Sequence, residues 1–235
     1  NSFEALNEPI ILDGPYSNSA FDIVCKNDKV YMIIGGKDLL NGKRFDKGGY
    51  ILTYDYDKWS FIDPKEAQKK LNLPRNPRDY TSIAVTTDDS NDEIVYASSM
   101  GDGVIQYKNG TPVQSYNEKN AFKETAGGYG SGYCYIDGLA FDKNGNLWMT
   151  SSEVNHAVLV LDKAGAWHRL DIEQLRGVYT INDILITSTN DKWIYVPRNT
   201  PKLVMIPNSE SLDEVSSYEF TTLIDTDGKE LTPSN

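Results

Sequence analysis

Apolar residues along this chain fall in short runs that alternate with polar ones, broken by Gly, Asn and Asp, while helical spacing is scarce. Such alternation predicts many short antiparallel strands. Four segments align with one another: AFDIVCKNDKVYMIIGG from Ala20, YTSIAVTTDDSNDEIVYASS from Tyr80, IDGLAFDKNGNLWMTSS from Ile136 and INDILITSTNDKWIYVP from Ile181. Each reads as a strand, a polar turn and a second strand with an aromatic near its centre: Tyr31, Tyr96, Trp148, and Trp193 or Tyr195. A second hairpin follows each time, and in two of them KNG and KAG form the tight turn, where Gly takes positive φ without steric cost. Trp59 and Trp167 occupy matching places in the fourth strand.

Four strands per unit, repeated along the chain, are the signature of a β-propeller. The expected fold class is therefore all-β: a propeller of four-stranded antiparallel blades over residues 19–62, 80–117, 135–171 and 180–222, in one propeller region spanning 1–235. DTDG at Asp225 to Gly228 opens a further, partial unit. A propeller must close, because an open blade edge invites pairing. Either the N-terminal FEALNEPIILD joins this stub in one blade, or the chain is an arc of a larger ring, the reading favoured here. One helix is expected from DPKEAQKKL, with Asp63 as N-cap, Pro64 at the first helical position and Glu66 at the capping-box position.

The stretch GLAFDKNGNLWMTS poses a choice. Asp142, Asn144, Asn146 and the later Glu153 resemble the start of a calcium loop, but such a loop needs Gly at its sixth position. Gly145 stands at the fourth, between two strands, so DKNG is expected to be a hairpin turn held by Asx side chains, with no functional metal.

Charge and composition then narrow the function. The net charge is −11, which repels phosphate backbones, so nucleic acid is not an expected partner. No apolar run reaches the ~20 residues of a membrane span, so direct membrane insertion is not expected. The chain begins NSFEAL, without Met or an apolar signal core, as a processed piece would. The two cysteines, Cys25 and Cys134, are too few for a disulfide framework and are expected to be small buried hydrophobes.

In a propeller the first strands line the central channel. Aligning them places Asp22, Thr81, Ser82, Asp137, Asn182 and Asp183 at its mouth as a polar ring. Of six arginines, Arg44, Arg75, Arg78 and Arg198 fall in loops expected on one face, and Arg176 in the loop leading into the fourth blade. Guanidinium forks suit carboxylate or phosphate, although loops are also simply where charge collects. The segment AGGYGSGYCY, with Tyr129, has the composition of an adaptable binding loop. The candidate ligand-binding residues are therefore Arg44, Arg75, Arg78, Arg176, Arg198, Asp137, Asp183 and Tyr129. No catalytic set can be assembled: of two histidines, His156 lies near Glu153, and His168 follows Trp167 in an outer strand. No cofactor and no metal is expected.

The stretch GLAFDKNGNLWMTSS followed by LVLDKAGAW resembles the two-component-regulator type of propeller repeat, found in extracytoplasmic sensor regions of hybrid two-component systems of Bacteroides-like bacteria. GPYSN at Gly14 to Asn18, the pair Gly35 and Gly36, GGYILTYDYDKW and YASSMGDGVIQYKNGTPVQSYN are similar to the propeller region of the type IX secretion accessory protein family. That family has two propellers and a small C-terminal domain, acts at the cell surface and hands anionic lipopolysaccharide to a sortase. The resemblance implies a non-catalytic, periplasmic or surface-exposed propeller that binds a glycan, a glycolipid or a protein, together with the remaining blades of a longer chain. A sensor region binding an oligosaccharide is the alternative. A weaker similarity to streptogramin-lyase propellers, which use Glu and His with magnesium, implies a lyase as the least favoured reading.

Overall fold

The computed structural model describes residues 14–39, 41–122, 132–198, 201–213, 215–224 and 226–231. Sixteen of its strands fall into four antiparallel sheets of four. Blade one is β1 (Ala20–Lys26), β2 (Lys29–Ile34), β3 (Ile51–Asp55) and β4 (Lys58–Ile62). Blade two is β5 (Tyr80–Thr87), β6 (Glu93–Gly101), β7 (Gly103–Lys108) and β8 (Thr111–Tyr116). Blade three is β9 (Cys134–Phe141), β10 (Leu147–Ser151), β11 (Val158–Leu161) and β12 (Trp167–Leu170), and blade four is β13 (Ile184–Ile186), β14 (Lys192–Val196), β15 (Lys202–Ile206) and β16 (Tyr218–Phe220). A hairpin of β17 (Leu223–Ile224) and β18 (Glu230–Leu231) follows. Blades two and three also join through a short bridge, Met100 to Tyr135 and Gly101 to Cys134.

The blades pack face to face because strand alternation gives each sheet two apolar sides. One side of blade one, with Tyr31, Ile33 and Ile51, packs on Ile83, Val95 and Ile105 of blade two. The other side of blade two, with Tyr96 and Val104, packs on Leu139, Met149 and Leu159 of blade three. The other side of blade three, with Trp148, Val158 and Val160, packs on Ile184, Ile194 and Val204 of blade four. The central aromatic of the second strand closes each joint: Tyr31, Tyr96 and Trp148 are 2%, 9% and 1% exposed.

Asx turns set the hairpins. Asp142 accepts from the backbone N–H of Asn144 and Asn146, each at 2.9 Å, and its second oxygen accepts from the Asn146 amide and the Trp148 indole, also at 2.9 Å. One buried carboxylate thus holds the DKNG turn and aims the tryptophan that seals the joint to blade four. Asp88 and Asp162 cap their own turns in the same way, accepting from Asp92 and Ala166 N–H groups. The helix α1 spans Pro64–Leu71, with the Asp63 side chain accepting from Lys65 N–H and Asn72 ending it in the left-handed region.

Cysteine burial departs from expectation in one case. Cys134 is buried, but Cys25 is exposed. Cys25 alternates with Val24 on β1, and only the Val24 side faces blade two; the other side has no blade against it among the described residues.

Candidate functional site

The first strands β1, β5, β9 and β13 converge, and their polar residues interlock. Asp22 accepts from the Ser82 hydroxyl at 3.2 Å and the Ile83 N–H at 3.1 Å, and the Ser82 oxygen accepts from Leu139 N–H. Thr81 donates to the Ile136 carbonyl at 2.6 Å, and Thr150 to the Asn182 carbonyl at 3.0 Å. Close approach is built into the chain: a Cβ on Gly138 would stand 2.7 Å from the Ile184 nitrogen. The sequence-expected ring residues therefore do share one site, but most of their hydrogen bonds join one blade to the next. Asp183 stands apart in this respect. Loss of water around its carboxyl pushes it up to about 6; the Ile184 N–H opposes this and the like charge of Asp22 adds to it.

Asp137 is buried at the mouth and paired with Lys37, which arrives from the loop after β2; their side chains are 2% and 3% exposed. Lys37 also donates to the Ile181 carbonyl at 3.1 Å, and Ser152 donates to Asp137. Burial raises the Asp137 carboxyl against the lowering pull of Lys37. A single side chain of blade one thus ties blades three and four together. Gly35 makes this path possible: at φ +135° it lies against the Asp79–Tyr80 backbone, where a Cβ would meet the Tyr80 nitrogen at 2.4 Å.

Arg44, Arg75 and Arg78 come together on the same loop face. Arg44 pairs with Asp46 at 2.8 Å, lies 3.7 Å from buried Asp79 and donates to the Tyr133 hydroxyl at 3.3 Å. Arg75 holds Asp102 at 2.7 Å through Nη2 and 2.9 Å through Nε, with its guanidinium 5.5 Å from the Tyr133 ring. Arg78 reaches Asp46 at 3.7 Å, and its backbone N–H donates to Asp102. Beside them lies a groove of about 270 Å³ lined by Arg75, Asp102, Ser115, Asn117, Lys119 and Tyr133, among others. Three arginines face three aspartates, so the cluster is polar and balanced; an acidic ligand there must displace a carboxylate. Asp46, 60% exposed, is the most solvent-accessible of the three carboxylates, held by Arg44 at 2.8 Å and by Arg78 at 3.7 Å.

Arg198 stands nearby, its guanidinium 5.7 Å from the Tyr179 ring and its Nη1 close to Gly42 of the blade-one loop. Arg176 lies elsewhere, in an exposed pair with Asp171 at 2.5 Å. Tyr129 lies outside the described residues. Glu153 neighbours Asp137, and burial with that like charge raises its carboxyl. His168 pairs with Asp162 on the outer strand. No three of His, Cys, Asp and Glu among the described residues are grouped to hold a metal ion.

The loop arginines are legible in the sequence, and Tyr133 lies in the AGGYGSGYCY segment expected to bind, but Asp46, Asp79 and Asp102, which pair with the arginines, are not. Only the loop position of these residues was visible; their pairing depends on contacts between blades.

No protein-family model and no curated protein matches this chain. Solved structures do match. The fold is that of a β-propeller arc. PorZ, an essential bacterial surface component of the type IX secretion system of Porphyromonas gingivalis, matches with a TM-score of 0.77 at 20% identity, over 95% of this chain and 30% of that one. The extracellular domain of the hybrid two-component system BT4673 from B. thetaiotaomicron matches at 0.52 and 14% identity, over 88% of this chain and 26% of that one. The Malassezia sympodialis allergen Mala s 1 matches at 0.52 and 11% identity, over 90% and 68%. This chain therefore spans under a third of the matched PorZ chain and of that extracellular domain.

Proposed function

We propose that this chain is a non-catalytic, extracytoplasmic propeller arc of the type IX secretion kind, and that its loop face binds an acidic glycan or an acidic protein segment. The observation that carries this reading is the convergence of Arg44 and Arg75 on Tyr133, with Arg78 joined to them through Asp46 and Asp102, beside an open groove. The likeness to PorZ over nearly the whole chain supports the setting. Tyr133 offers a ring for a sugar face, and Ser115 and Asn117 offer partners for its hydroxyls. Arg75 spends Nε and Nη2 on Asp102 and also engages Tyr133, so an acidic ligand there competes with Asp102 for the guanidinium. Among the described residues no helix is long and apolar enough to cross a membrane.

The test is calorimetric titration with a carboxylated oligosaccharide and its neutral counterpart at low and high salt. Exposed charge pairs are screened within ~10 Å at 0.1 M, so binding of the acidic sugar weakens as salt rises. The double variant R75A/R78A loses about tenfold or more in affinity, ~1.4 kcal/mol per factor of ten. Equal binding of both sugars, or no effect of the double variant, overturns the reading.

A further inference from the structure

The loop after β2 folds back on itself as a hairpin at the mouth. Lys37 and Arg44 pair in an antiparallel bridge, the Asp38 N–H donates to the Lys43 carbonyl at 2.7 Å, and the Gly42 N–H donates to the Asp38 carbonyl at 2.7 Å. This hairpin touches two arginine–tyrosine pairs. At its base Arg44 donates to Tyr133, and the Arg75 guanidinium lies 5.5 Å from that ring. Its tip, Gly42, stands against blade four. A Cβ there would lie 3.4 Å from Thr180 Oγ1 and 3.6 Å from both Arg198 Nη1 and the Tyr179 ring. The Arg198 guanidinium lies 5.7 Å from the centre of that ring.

The two pairs differ in their charge balance. Arg75 is held by Asp102, and Arg44 and Arg78 by Asp46. Arg198 has no carboxylate partner among the described residues, and its Nη1 is buried without a hydrogen-bond partner. A buried donor left unpaired is costly, and native proteins keep few of them. At the base of the hairpin an acidic ligand competes with an aspartate. At the tip it meets a guanidinium that no acidic side chain among the described residues neutralises.

We propose that Arg198, Tyr179 and Thr180 form a second carboxylate subsite of the loop face, and that the ligand is an oligosaccharide with carboxylates on more than one sugar, running along the hairpin from Tyr133 to Tyr179. This rests on the reading that the loop face binds an acidic partner. At each subsite the guanidinium takes a carboxylate and the adjoining ring takes the C–H face of the sugar. Thr180 at the tip, and Ser115 and Asn117 at the base, take its hydroxyls. An acidic peptide carries its carboxylates on flexible stems with no flat face beside them, so the paired rings favour the sugar. The carboxylate reaches Nη1 by displacing the Gly42 tip, which has no side chain and closes on its own backbone. Two linked subsites hold a long ligand more tightly than either holds a short one.

Calorimetric titration with galacturonic acid oligomers of two and of six sugars tests this. The longer acid binds the wild type at least about tenfold tighter than the shorter, at the low end of what linking two sites gives. Arg198→Gln and Tyr179→Ala each remove most of that gain. Tyr179→Ala leaves the charge unchanged, so its effect separates a subsite from a general loss of positive charge. The two substitutions lie in different loops; circular dichroism shows which variant folds, and either one alone decides. A gain absent from the wild type, or one that survives in a folded variant, overturns the subsite. If R75A/R78A still weakens binding of both acids in that case, the reading of the loop face stands without it. Failure of both acids to bind the wild type overturns the reading and the subsite together. A glutamate hexapeptide that binds as tightly as the six-sugar acid, and loses as much in Tyr179→Ala, overturns the choice of a sugar.

Discussion

Lys37→Met removes the cation that crosses from blade one to Asp137 of blade three and the Ile181 carbonyl ahead of blade four. Both partners are almost fully enclosed, at 3% and 2% exposure, so water cannot replace the lost ammonium. Asp137 keeps the Ser152 hydroxyl, which does not neutralise it. Breaking a buried pair from one side costs ~3–5 kcal/mol, which for a domain of this size lowers Tm by about 6–20 °C. The loss depends on pH. Burial already holds the Asp137 carboxyl above its ordinary value, and removing Lys37 raises it further. The folded state then binds a proton more readily than the unfolded state, so the deficit is largest at neutral pH and shrinks as pH falls toward ~4, the unfolded carboxylate value. Urea denaturation at pH 7.5 and 5 measures this. Lys37→Met combined with Asp137→Leu removes both charges and recovers most of the stability. A Lys37→Met loss under ~1 kcal/mol at neutral pH, far below the range for a buried pair, would show that the loop does not bind the blades together.

Other outcomes follow from single groups. Asp183, held up to about 6 by its surroundings, destabilises the fold once ionised, so Asp183→Asn raises Tm at pH 7.5 and has little effect at pH 4.5; thermal scans at the two values check the sign. A thiol reagent at pH 8 labels Cys25 quickly and leaves Cys134 intact in the native protein, because Cys134 is buried and burial pushes its thiol up to about 12; rapid labelling of both, read by mass spectrometry, contradicts the packing of β9. Asp142→Ala strands the Trp148 indole and two turn N–H groups, at ~1–3 kcal/mol for an unsatisfied buried donor, and red-shifts tryptophan emission if Trp148 loosens; an unchanged denaturation midpoint contradicts its place as the turn's anchor.

The blades were legible because strand alternation, Asx turns and the recurring aromatic are local signals. DKNG could be read as a turn from Gly145 alone, and helix α1 from Asp63 and Pro64. The site was legible only as a list of loop arginines. Arg176 is a loop arginine like Arg75, yet it pairs locally with Asp171 while Arg75 meets Asp102 and Tyr133 from distant parts of the chain. What separates them is which loops the blade packing brings together, and no residue-by-residue pattern encodes that. Cys25 was misplaced for a related reason: its alternation was right, but which side of β1 faces a neighbouring blade depends on the order of blades in the arc.

Hydrogen exchange of the chain with and without a saturating carboxylated oligosaccharide locates its binding surface. The account predicts slowed exchange at residues 73–78, 101–102, 117–119 and 132–133, around the groove beside Arg75 and Tyr133, and no change on the outer strands β4 and β12. Protection confined to those outer strands would contradict it.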